Sequence, residues 1–307
     1  MVNVARKCIA ELEKVVSQEN IRYDEPMKNH TTIKIGGPAD IMVTPSTEKE
    51  IIEILKIAKK YNIHIMAIGN GSKLLVTDKG IRGIVLKISS RFSYYEIDGE
   101  YITALAGMSM PKISRIAMKE GLSGLEFACG IPGNLGGGVR MNAGAYGSEL
   151  SNVLYETTYI DENLDIKTIS NEEHNFKYRY SYFKDNPKHV IVKVKLKLSK
   201  GNVDDIKTKM DDNSASRKEK QPLEYPNAGS TFKRPEGIFV GTVIQELGLK
   251  GYRIGDAQIS EKHAGFIVNL GNATAQNVID LMDYIRGKVL EKYGVLLENE
   301  IEIIGEK

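Results

Sequence analysis

Gly130-Ile131-Pro132-Gly133-Asn134-Leu135-Gly136-Gly137-Gly138-Val139-Arg140-Met141-Asn142-Ala143-Gly144-Ala145-Tyr146-Gly147 decides how the rest of the chain is read. Seven of these eighteen residues are glycine and none is acidic. Glycine lets main chain approach a ligand closely and take up positive φ without steric cost. Successive main-chain N–H groups in such a stretch form a concave nest for anions. The stretch therefore reads as a cradle for a diphosphate. The alternative is a glycine-rich surface loop. Such loops are usually padded with Ser, Asp and Lys, whereas this one carries Ile131, Leu135, Val139 and Met141, which suits partial burial.

Working outward, a second glycine turn lies upstream. The apolar run from Ile63 to Ile68 reads as a buried strand stopped by Gly69-Asn70-Gly71-Ser72-Lys73-Leu74. The N–H groups of that turn and the Ser72 hydroxyl could hold phosphate oxygens. A tight turn explains a lone Gly-x-Gly equally well, and Leu74 breaks the Gly-x-Gly-x-x-Gly dinucleotide fingerprint. With the longer loop downstream, a dinucleotide gripped by both becomes the better reading.

Length sets two domains as the starting expectation for 307 residues. Apolar content of 41% and charged content of 27% are ordinary for a globular chain, and a net charge of +2 gives no basic field for nucleic acid. The first residues lack the apolar core of a signal peptide, and no apolar run is long enough to span a bilayer. Cys8 and Cys129 form no metal-ligand spacing and read as free thiols, which fits a reducing cytosol. No metal site is expected.

The coarse pattern is mixed. Residues 1–20 read as a helix with Val4, Cys8, Leu12 and Val15 on one face. Thr47-Glu48-Lys49-Glu50 has the form of a capping box, followed by Ile51, Ile54, Leu55 and Ala58 at helical spacing. Residues 84–88 and 101–106 read as strands, and 111–119 as a helix ending at Gly121. Residues 155–160 and 165–169 suggest a hairpin. Residues 190–198 alternate, with Val194, Leu196 and Leu198 opposite Lys193, Lys195 and Lys197. A polar break near residue 200 marks the main boundary, followed by a charged helix at 204–217. Val278, Leu281, Met282, Ile285 and Val289 form a helical stripe started by Thr274 and ended near Gly294, and residues 295–304 read as a closing strand.

Four further clusters are suited to chemistry. Ser230 stands in Asn227-Ala228-Gly229-Ser230-Thr231-Phe232-Lys233-Arg234-Pro235, where Lys233 and Arg234 suit an anionic substrate and an ordinary β-turn is the alternative. Arg179 lies between Tyr178 and Tyr180, either fixed by stacking and aimed at a carboxylate or snorkelling from a strand surface. Glu298, Glu300 and Glu302 fall on one face if their segment is a strand, which does not say which one is functional. His263, in Ser260-Glu261-Lys262-His263-Ala264-Gly265, could bind an anion or act as a general acid, or be structural.

Together these blocks resemble the MurB family, the flavin-dependent reductases of bacterial cell-wall synthesis. The resemblance runs from about His30 to Gly305. It rests on His30-Thr31-Thr32-Ile33-Lys34-Ile35-Gly36-Gly37-Pro38-Ala39-Asp40, both glycine loops, Tyr178-Arg179-Tyr180-Ser181, residues 227–235, residues 255–269 and Leu297-Glu298-Asn299-Glu300. The compact 178–200 region resembles the type II branch. The resemblance implies an α+β fold: a two-subdomain FAD-binding module of the vanillyl-alcohol-oxidase (PCMH) type plus a C-terminal α+β substrate-binding domain. The implied limits are 1–30 for an N-terminal helical segment, 31–88 and 89–200 for the FAD-binding subdomains, and 201–307 for the substrate domain. FAD is expected to be bound non-covalently and reduced by NADPH. The enolpyruvyl sugar nucleotide then enters the same cleft, receives hydride from flavin N5 at C3, and is protonated at C2 by the protein.

The catalytic positions implied by the resemblance are Arg179, Ser230 and Glu300. Arg179 would stabilise charge on the substrate carboxylate and Ser230 would protonate C2. Glu300 would polarise or protonate the carboxylate, or orient a water, with its proton affinity raised by burial. The cofactor is expected at Gly69, Asn70, Gly71, Ser72, Lys73 and Leu74, and at Gly130, Ile131, Pro132, Gly133, Asn134, Gly136, Gly137, Asn142, Ala143 and Gly144. The substrate is expected at Tyr146, Lys220, Asn227, Lys233, Arg234 and His263. Lys73, Asn134 and Gly138 depart from the usual Asn, Ser or Thr, and Ala, and all three are placed at the flavin. Lys73 is expected to add charge near the diphosphate, and Asn134 to donate to a phosphate. A monomeric cytoplasmic enzyme acting on a UDP-sugar is expected, with neither nucleic acid nor membrane as partner. The alternative is an FAD-dependent oxidase of a small alcohol or sugar on the same fold. Such enzymes often tether flavin through His or Cys, which neither glycine loop supplies. A non-catalytic flavin or nucleotide sensor would leave Arg179, Ser230 and Glu300 without a task.

Overall fold

The computed structural model describes residues 2–306, and their side chains from Lys7 onward. The chain forms two compact units built from interleaved segments. One comprises residues up to Tyr23, Ile41–Asn70 and Gly83–Ser216; the other comprises Asp24–Asp40, Gly71–Arg82 and the chain from Arg217 onward. The last crossing follows Ser216, inside the helix Val203–Lys220.

The larger unit opens with the helix Val2–Val15, which buries Cys8 and Leu12 and stops short of residue 20. The side chain of Val4, expected on the same face, lies outside the described residues. The helix Glu48–Tyr61 is capped by Thr47, whose hydroxyl accepts from the Glu50 N–H. The reciprocal half of the expected box is shifted by one residue, because the Glu50 carboxylate accepts from the N–H and hydroxyl of Ser46. Ile65–Ile68 pairs in parallel with Ile81–Lys87. A five-stranded antiparallel sheet follows, in the order Ile166–Ser170, Leu154–Ile160, Val190–Lys197, Tyr101–Leu105, Tyr95–Asp98. In Val190–Lys197 the period-two pattern holds: Val192, Val194 and Leu196 are buried while Lys193 and Lys197 are exposed. Both cysteines are free thiols.

The smaller unit has its own core of Ile33, Ile35, Leu75, Phe232, Val278, Leu281, Met282, Ile285 and others. Its four-stranded antiparallel sheet runs Asn227–Ser230, Phe266–Asn269, Ala257–Ile259, Arg253–Ile254. The helix Ala275–Tyr293 begins at a full capping box from Thr274 and Asn277 and ends at Gly294 in the left-handed region. The expected closing strand is far shorter than residues 295–304. Only Glu302–Ile304 is a strand, parallel to Leu74–Val76. The segment before it is pinned piecewise, Arg286 donating to the Leu297 carbonyl and the Asn299 side chain. Alternation therefore fails for the three glutamates: Glu300 is buried, Glu302 half-buried and Glu298 exposed.

The long glycine stretch is not wholly a loop. Leu135–Met141 forms a two-turn helix between Asn134 and Asn142, the latter at φ 43°. Its glycines differ in what they do. A Cβ on Gly136 would lie 2.9 Å from Ala106 Cβ, and one on Gly138 2.9 Å from Leu150 Cδ1, so both serve close packing. Gly138 thus meets the core of its unit rather than a ligand surface. Gly137 has nothing within 4 Å of the same position. In the upstream turn, Gly71 has φ 62° and a Cβ there would lie 2.2 Å from the His30 carbonyl oxygen.

His174 is the most buried histidine. Its Nδ1–H donates to the Ser170 carbonyl at 2.7 Å, leaving Nε2 to accept from the Thr157 hydroxyl at 2.9 Å. Burial pushes its imidazole below the usual histidine range, so the folded protein holds it neutral.

Two stability predictions follow from these positions. The unfolded chain takes up the His174 proton near pH 6.5 and the folded chain refuses it. The unfolding free energy in urea should therefore fall as pH drops below about 6.5. His174→Ala should flatten that dependence and cost about 1–3 kcal/mol by orphaning two buried partners. Thermal unfolding should show Gly71→Ala destabilised by more than about 2 kcal/mol through strain and backbone clash. Gly137→Ala, free of both, should be neutral or gain up to about 1 kcal/mol.

Candidate active site

In the larger unit the two glycine stretches meet. Asn70 Nδ2 donates to the Pro132 carbonyl at 3.4 Å, and the Asn134 side chain lies against Gly69. Lys87 Nζ donates to the Gly69 carbonyl at 2.6 Å and fixes the end of the strand. Asn134 does not offer the amide donor expected of it. Its Nδ2 donates to the carbonyls of Ile88 and Gly107, which sets the amide orientation and leaves Oδ1 buried without a hydrogen-bond partner. The cradle is also less open than the sequence suggests. The N–H groups of Ile131, Gly133, Leu135, Gly136 and Gly138 all donate to protein carbonyls. Gly130 closes a short 3₁₀ turn, and Ala143 packs on the core.

Asn142 is fully buried and its side chain is wholly used: Nδ2 donates to Glu149 Oε1 and the Lys177 carbonyl, and Oδ1 accepts from the Ser151 N–H. It braces the stretch from beneath. Gly144-Ala145 pairs with Ser148-Glu149 across a turn in which Tyr146 and Gly147 both have positive φ, leaving Tyr146 44% exposed.

Arg179 sits at the tip of a tight turn rather than on a strand. Lys177 and Tyr180 exchange both main-chain hydrogen bonds around it, and Arg179 has φ 57°. Its guanidinium lies 4.8 Å from the Tyr178 ring centroid and donates to the Gly144 carbonyl at 3.0 Å. Stacking and a hydrogen bond fix the cation's direction, and its left-handed backbone is the kind of local strain that folds retain at functional positions.

The smaller unit gathers Lys73, Ser230 and Glu300. Gly71 to Leu74 belong to this unit, and Ser72 contributes its carbonyl to the Thr32 hydroxyl at 3.5 Å. Glu300 is 5% exposed and its Oε1 lies 2.7 Å from Lys73 Nζ. The same ammonium donates to the Ser230 carbonyl at 2.9 Å. Lys73 is thus committed to the serine and the glutamate, not to a diphosphate. Glu300 is buried as half of an ion pair rather than as an isolated carboxyl. Nothing local in the sequence signals this, since a lysine in a glycine turn reads as a phosphate ligand and its partners lie far along the chain.

The expected substrate residues divide. Asn227 is structural: Nδ2 donates to the carbonyls of Pro222 and Tyr225, and Oδ1 accepts from the Gly229 N–H. Lys233 pairs with exposed Glu298 at 2.9 Å, and Arg234 stacks 3.7 Å from the centroid of the exposed Phe239 ring. Lys220 is exposed in the last turn of its helix. His263 is not a cation. Burial pushes it below the usual range, and Nδ1 accepts from the Gly265 N–H at 3.1 Å, which places its proton on Nε2.

A flavin fits what the larger unit offers. Asn134 Oδ1 is an orphaned acceptor beside Gly69, suited to an N–H or hydroxyl donor, and Gly137 presents bare helix surface. Among the described residues no group of His, Cys, Asp and Glu could hold a metal ion, and no helix is long and apolar enough to cross a membrane.

Known proteins match this chain over nearly its whole length. A family model for an FAD binding domain matches residues 39–169, and one for the UDP-N-acetylenolpyruvoylglucosamine reductase C-terminal domain matches 221–304. A UDP-N-acetylenolpyruvoylglucosamine reductase of Caldanaerobacter subterraneus is 46% identical over 304 residues, 99% of this chain and all of that one. Another, of Clostridioides difficile, is 44% identical over 292 residues, 95% of this chain and 96% of its own. The crystal structure of the reductase from Thermus caldophilus superposes with a TM-score of 0.79 at 35% identity, covering 91% of this chain and 97% of that one. In fold alone, the likeness extends to a glucose oxidase variant of Phl p 4 with a TM-score of 0.50 at 11% identity, over 64% of this chain and 44% of that one. The chain belongs to the MurB family of UDP-N-acetylenolpyruvoylglucosamine reductases.

Proposed function

We propose that this chain reduces the enolpyruvyl group of UDP-N-acetylglucosamine enolpyruvate to give UDP-N-acetylmuramate for peptidoglycan synthesis. It is an NADPH-dependent flavin oxidoreductase with FAD as cofactor. The observation that carries this reading is the match to a reductase of that name along that protein's entire length. The oxidase alternative has only a shared fold behind it.

Bound FAD, once reduced by NADPH, supplies the hydride delivered to C3 of the enolpyruvyl group. The residue roles are part of the proposal. Arg179, permanently charged and aimed by Tyr178 and Gly144, meets the carboxylate into which charge at C2 delocalises. Ser230 gives its hydroxyl proton to C2. A serine hydroxyl is a weak acid, but an enolate of a carboxylate is a strong base, so the transfer runs downhill. Glu300, ion-paired with Lys73, acts as an acceptor that orients a water rather than as a proton donor. Lys220, Lys233 and Arg234 supply cations for the diphosphate, and neutral His263 supplies an Nε2–H donor. Non-covalent flavin, subdomain limits at residues 30, 88 and 200, a monomer, a cytoplasmic location and no nucleic-acid partner belong to the same proposal. Two free thiols support the reducing compartment.

Purified protein should be yellow, bleach with anaerobic NADPH and recolour with the enolpyruvyl sugar nucleotide. Protein that refuses flavin on reconstitution would end this reading. In stopped flow, Ser230→Ala should leave flavin reduction by NADPH nearly intact and slow reoxidation by the substrate about 10²-fold or more. Equal losses in both half-reactions would make Ser230 structural. Among the three glutamates, Glu300→Gln should be severe and Glu298→Gln and Glu302→Gln mild in the same assay.

A further inference from the structure

We propose that Lys73 is a positioning residue for this reaction, its ammonium locking the Glu300 carboxylate and the Ser230 main chain into one arrangement. The inference rests on the proposed function and extends it to a residue that the sequence placed at the cofactor. Three main-chain stretches converge here. Glu302 N–H donates to the Lys73 carbonyl at 2.8 Å, where Leu74–Val76 and Glu302–Ile304 run parallel. Glu300 N–H donates to the Thr231 carbonyl at 2.9 Å, one residue beyond Ser230. The ammonium closes the ring by reaching Glu300 Oε1 at 2.7 Å and the Ser230 carbonyl at 2.9 Å.

The strand needs that clamp. Asn227 faces Val268 and Ser230 faces Phe266, so three steps on one strand oppose two on the other and the ladder is bulged between Asn227 and Ser230. A bulge leaves peptide orientation under-determined by the ladder, and the ammonium supplies the missing constraint. Gly229 makes room for it: φ is 73°, and a Cβ there would lie 3.0 Å from Lys73 Nζ. The Lys73 side chain is 24% exposed and that of Glu300 4%, so the pair is drawn away from water, where removing one partner leaves the other's charge uncompensated. Lys73 reaches the reaction only through Glu300 and Ser230.

The test uses the flavin-loaded enzyme with Lys73→Met, Lys73→Arg, Glu300→Gln and the double variant Lys73→Met/Glu300→Gln. Reduced enzyme is mixed with the enolpyruvyl sugar nucleotide, and the limiting reoxidation rate is separated from substrate affinity. Lys73→Met should lower the limiting rate about tenfold or more with substrate Kd changed less than about twofold, a size typical of contacting residues. Lys73→Arg should recover part of the rate, and the double variant should lose much less than the product of the two single losses. Independent, multiplying effects of the two substitutions would overturn the inference. So would a loss confined to substrate affinity or flavin content, which would make Lys73 a ligand contact. A urea-denaturation cycle on the same four proteins reads the linkage without turnover. Lys73→Met should lower the midpoint markedly beside Glu300 and little once Glu300→Gln is present; an equal drop in both backgrounds would overturn it. If the unsubstituted enzyme bleaches with NADPH but never recolours with the enolpyruvyl substrate, the proposed function fails, while the urea cycle still decides the clamp.

Discussion

A carboxylate taken almost wholly out of water must be compensated, and much of the smaller unit is organised by that demand at Glu300. Burial of a lone charge is prohibitively unfavourable, whereas a well-hydrogen-bonded pair is tolerable. The partner comes from Lys73, carried by a segment that joins this unit only between Gly71 and Arg82. Leu75 of that segment enters the apolar core, while its strand pairs with Glu302–Ile304. Apolar burial and ion pairing therefore act on the same few residues, and the serine proposed to move a proton is held by the same cation.

The larger unit, proposed to receive the flavin at its glycine stretches, solves a different problem, that of close main-chain packing. It does so by subtraction. Gly136 and Gly138 let the helix Leu135–Met141 press on Ala106, Leu150 and Met110, and the backbone amides around it are mostly satisfied within the protein. Among what the unit offers are one orphaned amide oxygen and one bare glycine surface. Arg179 contributes the complement, a cation whose direction is set by its turn and by Tyr178.

How much of this was legible in the sequence depended on the range of the interaction. Period-two and helical stripes placed Val190–Lys197 and Ala275–Tyr293 closely, because core-facing alternation and the Thr274 cap are local signals. The glycine stretches and the family blocks identified the cofactor class. Much of what failed was non-local. Residues 295–301 read as strand, yet Arg286 and the Thr231 carbonyl hold them in an irregular path that no periodicity encodes. The resemblance placed Asn134, Asn142 and Asn227 at ligands, but each spends its donors on carbonyl or carboxylate oxygens of the protein. His263 read as a possible anion ligand or general acid, and burial pushes it below the usual range while the Gly265 N–H occupies its Nδ1. Lys73 was visible as a departure from the family pattern, while its purpose required knowing where Glu300 folds.

The chain passes between its two units five times, and this bears on its inheritance. The stretch matched by the family's C-terminal model, residues 221–304, omits Ile33, Ile35 and Leu75, all core members of the unit to which it belongs. A gene fragment ending near residue 216 would hold every segment of the larger unit, but one starting near residue 217 would leave the smaller unit incomplete. Recombination at that point would split the hydrophobic interior of the smaller unit alone, so the segments carrying Ile33, Ile35 and Leu75 are obliged to descend with the chain beyond residue 217.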